Sequence, residues 1–133
     1  MEETPERRSF TPESATRTLP LMTRVVADIQ RVYREREELN DALRGDDLGD
    51  GERTELERQF ERATAELTEF AREIESIGAV LKDAAGGLID FEGEIDGETV
   101  WLCWQPGEAE VSFWHPLHAG FSGRRPIPVG ASQ

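Results

Sequence analysis

Between residues 22 and 77 the apolar positions run in two seams that mirror one another. The first is Met22, Val25, Ile29, Val32, Arg36, Leu39, Leu43, in steps of three and four. The second is Leu56, Phe60, Ala63, Leu67, Phe70, Ile74, Ile77, in steps of four and three. Such steps are the heptad spacing of a helix that keeps one face against a partner. Folded back on each other, the seams match member for member. Leu43 meets Leu56, Leu39 meets Phe60, Val32 meets Leu67, Ile29 meets Phe70, Val25 meets Ile74 and Met22 meets Ile77. Arg36, the one charged position, faces Ala63, the smallest position of the other seam. An arginine can lay its stem over an alanine and send its guanidinium out to solvent. The expected structure over 11–78 is therefore a long antiparallel helical hairpin, coiled-coil-like, with arms of roughly 37 Å at 1.5 Å per residue.

Local signals agree with this. Thr11-Pro12-Glu13 reads as an N-cap, a first-turn proline and a first-turn acid. Pro20 predicts a kink or restart. The segment "RGDDLGDG" (44–51) breaks the arms, and Gly78 is a natural stop. Pairs such as Arg31/Glu35 and Arg34/Glu38 dress a solvated helix face. Residues 1–10 read as a flexible polar lead.

Beyond Gly78 the spacing changes to that of strands. Asp96-Gly97 lies between two β-type runs, a strong hairpin signal, and "QPGEAE" marks a second turn. The expectation for 79–116 is a three-stranded antiparallel meander (88–95, 98–105, 110–116) packed on the open end of the hairpin, with a short strand conceivable at 79–82. The fold class is α+β in a single domain. The tail, 117–133, is expected to be irregular because of its glycines and prolines, with Phe121 pinning its first half.

The stretch "VWLCWQPGEAEVSFWHPLH" (100–118) holds all three tryptophans, the single cysteine and both histidines of the chain. With a two-residue turn at 96–97, Asp90 falls opposite Cys103. With a four-residue turn at 106–109, Trp101 falls opposite Trp114. One face would then carry Ile89, Phe91, Val100, Leu102, Trp104, Val111, Phe113 and His115 as core. The other would carry Asp90, Glu92, Trp101, Cys103, Ser112 and Trp114.

That register weighs on the chemistry. Cys103, His115 and His118 are zinc-type ligands, but they remain weak candidates because Cys103 and His115 are expected on opposite faces. Cys103 as a nucleophile lacks a base, and Asp90 beside it would raise its pKa. No catalytic residue is assigned and no cofactor is expected. An outward Trp101/Trp114 face is costly to leave wet, so the tail, a second copy of the chain or a protein partner is expected to cover it. Arg124 and Arg125 could fold back on Asp90 or Glu92, or stack on the indoles. Glu108, in the second turn, adds an acid near the tail.

Composition narrows the partners. The net charge of −13, from 28 acidic against 15 basic side chains, repels phosphate backbones, so no nucleic-acid partner is expected. Lys82 is the sole lysine, a bias suited to a GC-rich genome or a salt-adapted cytoplasm. No apolar run suits a signal peptide or a membrane span, and a lone cysteine suits a reduced, cytoplasmic setting.

The elements "GLIDF", "LCW", "WH" and "GFSGRRP" resemble the bacterial family known as domain of unknown function 2203, over nearly the whole chain. The resemblance implies a signature of Asp90, Phe91, Cys103, Trp104, Glu108, Trp114, His115, Gly120, Phe121, Gly123, Arg124 and Pro126, and no activity. His118-Ala119 departs from the acid-rich segment expected between "WH" and "GF". Two function classes follow. The first is a non-catalytic interaction or assembly module, a homodimer among its forms. The second is a small-ligand- or metal-binding protein, enzymes included, that uses the acidic, His and Arg residues around sheet and tail.

Overall fold

A computed structural model describes residues 9–128. Helix α1 (Pro12–Arg17) opens on a capping box. The Thr11 hydroxyl accepts the Ser14 N–H at 3.0 Å, and Ser14 Oγ accepts the Thr11 N–H at 2.9 Å. The restart expected near Pro20 falls at Thr18, so that Pro20 sits in the first turn of α2 (Leu19–Leu43), where its missing N–H costs nothing. Helix α3 (Asp50–Ile77) ends at Gly78, whose φ of 111° is the left-handed conformation that glycine tolerates.

The two long helices form the antiparallel hairpin. Arg36 Nε donates to Thr64 Oγ1 at 2.7 Å, and its guanidinium carbon lies 4.4 Å from the Phe60 ring centre. It thus straddles Ala63, which is buried. Nearer the loop, Arg53 donates to the carbonyls of Leu43 and Gly45, closing the hairpin tip.

The sheet has five strands rather than three, all antiparallel and in chain order: β1 (Ala79–Asp83), β2 (Leu88–Ile95), β3 (Glu98–Trp104), β4 (Phe113–His115) and β5 (Arg125–Pro126). Segment 79–82 does form a strand. The tail, expected to be irregular, contributes a 3-10 turn (Phe121–Gly123) and a two-residue strand. Proline suits that outer strand, where no ladder donor is needed.

The first turn sets its register as expected. Asp96 and Gly97 both have positive φ (52° and 85°), the type I′ signature, and Asp90 pairs with Cys103. The second connection departs from expectation. Its turn exists, since the Glu108 N–H donates to the Gln105 carbonyl. Pairing does not resume directly after it. Val111 leaves the sheet for α1, donating its N–H to Thr16 Oγ1 at 3.0 Å and burying its side chain in the core. The third strand is therefore Phe113–His115 rather than 110–116. Its register is Trp101 opposite His115, Leu102 opposite Trp114 and Cys103 opposite Phe113. A one-residue slip reverses every side chain. Trp114 turns to the helix side and packs on the core, while Phe113 and His115 turn outward. The expected Trp101/Trp114 face does not form.

The core lies between the hairpin's open end and the inner sheet face, joining Met22, Val26, Ile29 and Ile74 to Ile89, Phe91, Leu102 and Trp104. Close approach around the core is glycine-dependent at Gly87 and Gly93. A Cβ on Gly87 would lie 2.6 Å from Val26 Cγ1, and one on Gly93 would lie 2.4 Å from the Phe10 carbonyl oxygen. Phe10, assigned to the polar lead, is instead buried. It bridges to Gly93 and stacks edge-on against Phe91 with ring centres 5.1 Å apart. The rest of the lead, 1–8, and the tail's end, 129–133, lie outside the described residues.

Candidate functional site

The reversed third strand places three side chains of different chemistry on adjacent strands of the outer sheet face. Asp90 comes from β2, Cys103 from β3 and His115 from β4. His115 Nε2 lies 3.0 Å from Asp90 Oδ2. One ligand atom from each of Asp90, Cys103 and His115 lies within 4.8 Å of the other two, and all three residues are buried. Cys103 and His115 thus share one face, contrary to the expected opposite faces that weighed against a metal site. His118, the third weak candidate, is exposed on the loop after β4 and is not part of the cluster.

Around this centre the tail supplies a second layer. Arg124 Nε donates to Cys103 Sγ at 3.3 Å. Its two terminal nitrogens grip Glu108, at 3.2 Å to Oε1 and 3.0 Å to Oε2. The guanidinium lies between two phenyl rings, 4.0 Å from the centre of Phe113 and 4.5 Å from that of Phe121. Glu108 is fixed in turn. Its Oε1 accepts the Gln105 N–H at 3.0 Å, and its carbonyl accepts the Trp104 indole N–H at 2.9 Å.

The hydrogen-bond inventory constrains the protons. His115 Nδ1 lies 3.1 Å from the Pro116 carbonyl, which can only accept. Nδ1 therefore carries its hydrogen. Nε2, the other nitrogen, faces a carboxylate oxygen. Two acceptors at 3.0 Å require a cation between them, a proton or a metal ion. Burial pushes the Asp90 carboxyl above its ordinary range, opposed by His115 first and then by Lys82 and Arg124. Burial also raises the Cys103 thiol. The Arg124 hydrogen bond and charge oppose this, and the charges of Asp90 and Glu108 add to it. A thiol so placed is a poor nucleophile. Its hydrogen-bond partner Arg124 cannot accept a proton, and both His115 nitrogens are engaged, so no base is arranged to activate it.

As a ligand set the cluster is better suited. O, N and S donors are all zinc ligands, and neighbouring donors at about 2.0 Å from a tetrahedral ion stand roughly 3.3 Å apart. A ligating histidine that donates its other N–H to a backbone carbonyl is the usual outer arrangement of such sites.

The remaining candidates lie nearby or elsewhere. Trp101 is half-buried on the outer face with the Lys82 ammonium 5.4 Å from its ring, and Glu92 is opposite it across the strands. Trp114 is on the inner face under Arg125, whose guanidinium is 5.3 Å from the ring. Phe121 is exposed at 39% yet stacks on Arg124. The sequence reading missed Phe113, assigned to the core, and the Pro116 carbonyl. Only the correct register could have revealed the first, and a proline after a buried histidine hints at the second.

The sequence profile of the family described as "Uncharacterized conserved protein (DUF2203)" matches residues 8–127, and the chain belongs to that family. No curated protein and no solved structure matches it. Among the described residues no helix is long and apolar enough to cross a membrane.

Proposed function

We propose that this chain is a metal-binding protein that holds one zinc-type divalent ion between Asp90, Cys103 and His115. One observation carries the reading. Nδ1 of His115 is committed to a carbonyl, so its Nε2 lone pair faces the Asp90 carboxylate with a thiol on the same sheet face. The mixed O, N, S donor set favours zinc or its neighbours over magnesium or calcium, which take oxygen ligands. The free thiol of Cys103 suits a reducing, cytoplasmic compartment.

The test is titration of chelator-stripped protein with zinc(II) and cobalt(II). One ion per chain is expected, with a thiolate-to-cobalt charge-transfer band that is lost in Cys103→Ser. Zinc at a hundred times its Kd should add about 2.7 kcal/mol to unfolding stability. Absence of the thiolate band, together with unchanged stability in excess zinc, would leave the Asp90–His115 pair bridged by a proton alone and refute the reading.

A second reading, an interaction or assembly module with self-association as its simplest form, is favoured by the hairpin arm. Beyond Val32 no residue of α2 is fully buried, and Leu39, Leu43, Leu56 and Phe60 are only half covered. A monomer at all concentrations in analytical ultracentrifugation would remove self-association from consideration.

A further inference from the structure

The segment after β4 contributes no ligand to the Asp90–Cys103–His115 cluster, yet it holds two of the three from outside. At its start, the Pro116 carbonyl accepts both the His115 Nδ1–H (3.1 Å) and the Ala119 N–H (3.0 Å), so one oxygen ties the imidazole's orientation to the turn that begins the strap. At its end, Arg124 donates to the Cys103 sulfur. Between them the chain turns tightly. The Gly123 N–H donates to the Gly120 carbonyl at 2.8 Å and the Arg124 N–H to the Phe121 carbonyl at 3.0 Å. A Cβ on Gly123 would meet the Ala119 Cβ at 2.9 Å. Beyond Arg124 the strap is fastened by β5 and by the Ile127 N–H to the Ser112 carbonyl at 2.9 Å.

Resting on the metal reading above, we infer that the strap 116–127 and the metal ion stabilise each other, with Arg124 as the positioning residue that couples them. The chemistry is direct. Metal coordination turns the Cys103 thiol into a thiolate, its proton passing to solvent, and so adds the attraction of opposite charges to a hydrogen bond that the Arg124 guanidinium already donates. The bond from Arg124 Nε to Sγ therefore strengthens on loading. Arg124 cannot drift to improve it, because Glu108 grips its far side and Phe113 and Phe121 flank its plane. The gain passes to the strap. Linkage makes the effect reciprocal: what zinc does for the strap, a docked strap does for zinc affinity. Outer partners of metal ligands typically matter about 10–100-fold in affinity.

Amide hydrogen exchange on the full chain, with and without zinc(II), reads the coupling. The amides of Ala119, Gly123, Arg124 and Ile127 should slow by about tenfold or more on zinc saturation. In Arg124→Gln, zinc affinity should fall about 10–100-fold, the strap protection should be lost, and the thiolate-to-cobalt band should shift. Arg125→Gln, which alters the neighbouring residue on the inner face, should leave all three readouts unchanged. Because the wild-type exchange experiment needs no variant, a poorly folded Arg124→Gln cannot shelter the inference. Zinc that binds while the strap amides stay the same or speed up overturns the coupling alone; faster exchange would mean that the ion displaces Arg124. An Arg124→Gln protein with undiminished zinc affinity overturns it likewise. Failure of the wild type to bind zinc overturns both this coupling and the metal reading beneath it.

Discussion

His115→Phe keeps an aromatic ring in β4 and removes both nitrogens, so it takes away the partner of Asp90 together with the Nδ1–H bond to the Pro116 carbonyl, and the pH-dependent part of its cost reports on Asp90. The folded pair must hold one cationic bridge, and in metal-free protein that is a proton. In the wild type His115 is the partner of the carboxyl, with Nε2 3.0 Å from Oδ2. In the variant the buried carboxyl must take the proton itself, against an ordinary value of 3.8. At about 1.4 kcal/mol per pH unit that costs roughly 4 kcal/mol at pH 7 and roughly 2 at pH 5. The expected loss of stability is therefore up to about 4 kcal/mol at pH 7 and about 2 at pH 5. These are ceilings, because the charges of Lys82 and Arg124 also favour ionised Asp90. The sign follows from linkage. An acid whose folded pKa is raised contributes stability at low pH that is lost as pH climbs toward the folded value, and the variant has only that acid. Urea unfolding in excess chelator at pH 5, 6 and 7 measures it. A deficit equal at pH 5 and pH 7, or below about 1 kcal/mol at pH 7, would show that Asp90 is adequately solvated without His115 and would refute the reasoning.

Two further perturbations test the frame that holds the site. Gly93→Ala drives a methyl against the Phe10 carbonyl oxygen and Leu102 Cδ1. It should release Phe10 with its two backbone bonds to Glu92 and Glu94 at a cost of about 2–4 kcal/mol; a calorimetric melting point within a degree of the wild type would contradict that packing. In a Cys103→Ser background, Cys pairs at 39 and 60, or at 29 and 70, should crosslink within one chain on mild oxidation. Crosslinks from 39 to positions near 74 would disprove the hairpin register.

The hairpin and the first β-turn were legible because their determinants are local and periodic. Seven seam positions in each arm fix a helix pairing redundantly, and Asp96-Gly97 prefers the one turn type whose backbone matches strand twist. The candidate site was legible in part. Asp90, Cys103, Glu108, His115 and Arg124 all stood among the candidates, and Asp90 was expected opposite Cys103 as found, while the placement of His115 on their face was not, since it hangs on the parity of one short strand. That parity depends on a long-range event with no local mark, the Val111 N–H binding Thr16 of α1.

Polar bookkeeping offered a sequence-level route to the correct register. The expected register put His115 at the edge of the apolar face, opposite to the face of Asp90, and aimed two indoles at water. Shifting β4 by one residue brings His115 to the face of Asp90 and moves one of the two indoles, that of Trp114, to the core. His115 gains Asp90, Trp114 gains the core, and Phe113 becomes one wall of the slot that Arg124 enters. A buried ionisable side chain must find a partner. When two registers compete over a connection of uncertain length, the one that pairs the buried histidine with the buried acid is the better physical choice. Here that choice also separates an unexplained aromatic face from a buried cluster of Asp90, Cys103 and His115.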